Sequence, residues 1–107
     1  MNLTERLAVA ETRHAQIVSR LEAARIARDE LRATAAKERE AYLAASAGAE
    51  LDDGARPSRA RLTELERELP DAEDRVAVLE RAVAEAARQM RHARADVLTA
   101  QAEGVRE

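Results

Sequence analysis

The sequence predicts an all-α fold: a long antiparallel two-helix hairpin of the coiled-coil type, with a central turn near Asp53-Gly54. Three observations predict it. Each half of the chain carries a heptad series whose steps alternate between three and four residues without a slip. A stretch rich in Gly, Asp and Pro separates the two series. Ala, Leu, Arg and Glu dominate the composition, with one Tyr and neither Phe nor Trp, which favours long helix over sheet or thick core.

Helix 1 is expected over about residues 2–47. Asn2 stands as its N-cap, with Glu5 three residues on as in a capping box. Its seam reads Leu3, Leu7, Ala10, His14, Ile17, Leu21, Ala24, Arg28, Leu31, Ala35, Glu38, Tyr42. Gly48 is the expected left-handed C-cap, and residues 48–57, ending in Pro57, form the loop.

Ser58 is the expected cap of helix 2, at about 58–103. Its seam reads Leu62, Leu65, Leu69, Ala72, Val76, Leu79, Val83, Ala86, Met90, Ala93, Val97, Ala100. Pro70 lacks the N–H that would bond to Glu66, and its ring crowds that carbonyl, so a kink is expected there. The heptad phase nevertheless passes through Pro70 and leaves it on the outer face. Residues 1–107 therefore read as a single hairpin, and a seam that begins at Leu3 is expected of a complete small protein.

Folding the chain about Asp53-Gly54 sets large residues against small ones. Leu7 meets Ala100, Ala10 meets Val97, His14 meets Ala93, and Leu21 meets Ala86. Ile17 meets Met90, Leu31 meets Val76, and Tyr42 meets Leu65. Edge charges agree: Arg39 faces Glu66, Arg32 faces Glu73, Arg25 faces Glu80, Glu11 faces Arg94, Arg13 faces Asp96, and Arg6 faces Glu103. Each exposed pair contributes only a few tenths of a kcal/mol, but together they specify register.

The composition also excludes. There is no cysteine, hence no disulfide framework, thiolate site or cysteine nucleophile. Net charge is −3 with both signs interspersed, which argues against a nucleic-acid or acidic-membrane binder. No long apolar run suggests membrane insertion, and the first residues lack the pattern of a signal peptide. Lys37 is the only lysine among many arginines, which with the abundant Ala suggests a high-GC genome, bacterial or phage. The expected location is cytoplasmic, or virion-associated for a phage product.

Arg28 and Glu38 occupy seam positions, where long stems stay packed and charged heads bend outward. His14 is read as a packed seam residue. It and His92 fall at similar heights, yet no further ligand completes a tetrahedral set, so no metal or other cofactor is expected. No phosphate loop or nucleophile–base pair is present, so no catalytic residue is assigned and the chain is not expected to be an enzyme.

Two sets of residues are candidate partner contacts. The first is the tip, with Glu50, Asp52 and Asp53. A long hairpin with an acidic tip resembles, in outline only, the Gre-type factors that enter the secondary channel of bacterial RNA polymerase. That resemblance implies a regulator that inserts its tip into a partner enzyme, although the Gre tip motif and globular domain have no counterpart here. The second set lies on the sides. Ile26, Val78 and Leu98 fall outside the seam, as do Leu43 and Val105, among alanine-rich outer faces. A non-enzymatic interaction or scaffolding protein within a larger bacterial or phage assembly is the expected function, with a homodimer forming a four-helix bundle as one way to cover the sides. An RNA-binding arm, similar to the helical arm of seryl-tRNA synthetases, is a further alternative. Arginines matched by acidic residues, with no aromatic platform between them, argue against it.

Overall fold

The computed structural model describes residues 1–104, so Val105 lies outside the described residues. The fold is an all-α antiparallel helical hairpin. Helix α1 spans Leu3–Leu51 and helix α2 spans Ala60–Ala102.

The start of α1 follows from Asn2. Its side-chain Oδ1 accepts the amide of Glu5 at 2.8 Å, and its carbonyl accepts the amide of Arg6 at 3.0 Å. One of the orphan donors of the first turn is thereby satisfied by the cap side chain.

The end of α1 differs from expectation. Gly48 does not terminate the helix, which continues to Leu51. Asp53 is the residue in the left-handed region, with φ of 52°. The amide of Asp52 donates to Gly48 at 3.1 Å, and the amide of Gly54 reaches back to Ala49 at 2.9 Å. That second bond, six residues to one, is the Schellman closure. Gly48 is compatible with a helix interior at a modest entropic cost, and Asp tolerates the left-handed conformation better than most residues. The loop is accordingly shorter, and it lies later than residues 48–57.

Helix α2 begins at Ala60 rather than Ser58. Ser58 still works at this end, because its Oγ accepts the Ala60 amide at 3.2 Å. The helix runs without a break through Pro70, which is exposed on its outer side. At the far end Gly104 takes φ of 71°, and its amide donates to Gln101 at 3.1 Å. A left-handed glycine just past the last turn is the usual way to stop a helix.

The chain divides into two compact units, one holding residues 24–76 and the other residues 1–23 with those from 77 onward. In the first, Leu62, Leu65 and Val76 are buried, and Leu31, Ala35, Tyr42, Leu69 and Ala72 are half-buried. The ion pairs Arg32–Glu73 at 3.3 Å and Arg39–Glu66 at 3.6 Å form across the two helices there, as the edge charges predict. In the second, Leu21, Leu79, Ala86, Val97 and Ala100 are buried, with Leu3, Leu7, Ala10, His14 and Ile17 half-buried beside them.

Every residue of both heptad series is buried or half-buried, so the seam is the one that the sequence specifies. No polar residue is fully buried among the described residues. Arg28 follows the expected course: its stem is mostly covered, and its Nε turns out to Asp29 Oδ1 at 3.0 Å. The edge charges of the second unit do not follow theirs. Asp96 lies 3.7 Å from His92 instead of pairing with Arg13. Among the described residues, no ion pair joins Arg6 to Glu103 or Glu11 to Arg94. Exposed pairs gain too little to hold long side chains in one geometry.

Candidate functional site

The tip is built by the last turn of α1 and its Schellman closure. Glu50, Asp52 and Asp53 are all exposed there, as expected of an acidic tip. Their charge is partly matched, since Arg56 Nη2 lies 3.5 Å from Glu50 Oε1. The last turn of α1 has no basic residue. The carboxylates thus sit at the negative end of the helix dipole, where each costs roughly 0.3–1 kcal/mol.

Sequence reading passed over one residue at the tip. Leu51, between the carboxylates, is 85% exposed. The signal was present in the phase: Leu51 lies two positions beyond the half-buried Ala49 and therefore off the seam.

Behind the tip, Arg59 organises a polar cluster. Its guanidinium lies 5.7 Å from the centre of the Tyr42 ring. It also donates to Glu66 at 3.3 and 3.4 Å and to Thr63 at 3.2 Å. Spacings of four and seven along the first turns of α2 put these groups on one face. The heptad alone does not reveal this cluster, because Arg59 precedes the first seam residue. A shallow groove of about 180 Å³, lined by Glu38, Tyr42, Pro57, Ser58, Arg61 and Leu62, runs beside it.

The side candidates are exposed where the heptad phase puts them. In the unit of residues 24–76, Ile26 is 60% exposed, and Leu43 is also open to solvent. In the other unit Val78 and Leu98 are each 59% exposed. They do not converge: twenty residues separate Val78 from Leu98 on α2, about 30 Å of helical rise.

A second groove, of about 320 Å³, is lined by Leu3, Arg6, Arg88, Gln89, His92 and Asp96. Two of its side chains have carboxylate neighbours, Arg88 beside Glu85 and His92 beside Asp96. Arg88 holds Glu85 bidentately at 2.6 and 3.0 Å. Chiefly through that hydrogen bond, the Glu85 carboxyl is held below its ordinary pKa and the Arg88 guanidinium is raised above its own. His14 stands half-buried in the seam, whereas His92 is exposed beside Asp96. Among the described residues, no group of three or more His, Cys, Asp or Glu is placed to hold a metal ion. No described helix is long and apolar enough to cross a membrane.

Comparison with protein families, curated proteins and solved structures gives no match.

Proposed function

We infer that this is a non-enzymatic interaction protein, which presents rigid helical surface to protein partners as an accessory part of a larger assembly. Uncovered surface carries the reading. Exposed Ile26, Val78 and Leu98 supply apolar contact on surfaces otherwise made largely of small or charged residues. The composition suits a bacterial complex or a phage particle.

Co-purification from the native host tests this reading. Val78→Glu with Leu98→Glu should lose the partner protein, whereas replacing Glu50, Asp52 and Asp53 together by Ala should retain it. The reverse pattern would overturn the reading in favour of a tip-inserting regulator. One observation favours that second reading: three carboxylates occupy the helix end where they weaken the fold.

A further inference from the structure

The outer face of α1 between Ile26 and Leu51 is uncovered and self-complementary. Residues 41–49, from Ala41 to Ala49, carry no charge in a chain that is 36% charged. Ala33, Ala36, Ala44 and Ala47 are exposed along this face, and Ile26, Leu43 and Leu51 rise from it. Small residues let a second helix approach closely, and the larger ones supply area to bury.

We propose that a second copy of this chain covers this face, with the two α1 helices antiparallel and Ile26 of each set against Leu51 of the other. That register then fixes the remaining levels. Ala33 faces Ala44 of the second copy, Thr34 faces Leu43, and Lys37 faces Glu40. The Lys37–Glu40 match occurs twice, near the two-fold axis at the middle of the contact. Among the described residues Lys37 has no ion-pair partner, and its ammonium is open to one from the second copy. Glu30 comes level with Ala47, and Glu50 with Ala27, so no acidic residue meets another at its own height. Asp29 and Glu50 come nearest to doing so, and each already has a guanidinium of its own chain beside it, from Arg28 and Arg56.

A parallel arrangement fails on the same residues. It sets Glu40 on Glu40 in the centre of the outer face, and Glu30 and Glu50 each on its own copy. Charge therefore favours the antiparallel pairing over the in-register parallel one.

This pairing names the partner of one face of the interaction protein proposed above, and it is tested apart from it. Sedimentation equilibrium of the full chain over a range of concentrations should give a mass rising to twice the 11.8 kDa of one chain. Ile26→Glu and Leu51→Glu should each weaken the dimer by at least about tenfold, because a carboxylate would be desolvated without a partner. Circular dichroism should find their helicity intact, since both positions are exposed. Lys37→Glu should weaken the dimer, and adding Glu40→Lys should restore it. Val78→Glu, on α2, should leave the mass unchanged. A constant mass of one chain overturns the proposal, as does a dimer indifferent to Ile26→Glu and Leu51→Glu, or a charge reversal that fails to rescue. A monomeric result would leave the Val78 and Leu98 co-purification test standing.

Discussion

The amide of Gly54 donates to the carbonyl of Ala49 at 2.9 Å, and this one bond moves the end of α1 past Gly48. Gly48 is left as an ordinary helix-interior position. A Cβ built on it meets no atom within 4 Å. Gly48→Ala should therefore stabilise the protein by about 0.5–1 kcal/mol, through the lower entropy of the unfolded chain and better helix propensity. Urea denaturation measures this. A loss of stability would mean that Gly48 needs glycine's freedom, as a left-handed cap would.

The seam was legible in the sequence because its period is strict and nothing competes with it. Leu3 to Tyr42 and Leu62 to Ala100 are all covered, including the charged Arg28 and Glu38. Helix ends were less legible. Gly48 and the Asp53-Gly54 pair both offer a stop, and the choice depends on which backbone carbonyls find donors. The Arg59 cluster precedes the first seam residue of α2, so the period carries no sign of it, whereas Leu51 was as legible as Ile26 or Val78, an apolar residue off the seam. Side-chain ion pairs at Arg6, Glu11 and Arg13 were the weakest inference, because exposed charges gain almost nothing from meeting.

Seam and surface should respond in opposite ways to substitution. Leu65 is 1% exposed, and Leu65→Ala should cost about 2–4 kcal/mol. Leu21, 6% exposed, faces a harsher test in Leu21→Asp, which buries a carboxylate and should cost more than about 3 kcal/mol. The adjacent Glu22→Ala should stay within about 0.5 kcal/mol. Thermal melts of the three variants check the phase of the helix, and equal effects at positions 21 and 22 would contradict it.

Glu66 receives two guanidinium groups, Arg39 at 3.6 Å and Arg59 at 3.3 Å. Only Arg59 also lies over Tyr42. Arg59→Ala should thus cost more than Arg39→Ala, by about 0.5–1 kcal/mol. Tyr42→Leu should remove most of that difference. A double-mutant cycle reads the coupling directly, and an Arg59–Tyr42 coupling of zero would contradict the assignment.

The Arg88 hydrogen bond lowers the Glu85 pKa, so this carboxylate favours the folded state when ionised. Its contribution is present above the ordinary pKa of 4.5 and is lost as pH falls through the lowered folded value. Nuclear magnetic resonance titration should place the Glu85 midpoint below 4.5, and Arg88→Ala should return it toward 4.5. An unchanged midpoint in that variant would mean that the pair does not persist in solution.

Hydroxyl-radical footprinting, of the chain alone and within its native assembly, most directly tests whether uncovered helical sides are the working surface. Protection on assembly is predicted at Val78 and Leu98, with Leu21 and Leu65 unreactive in both states because the seam already covers them. Glu50, Asp52 and Asp53 should keep their reactivity. Protection confined to those three carboxylates, with Val78 and Leu98 as reactive in the assembly as in the free chain, would contradict it.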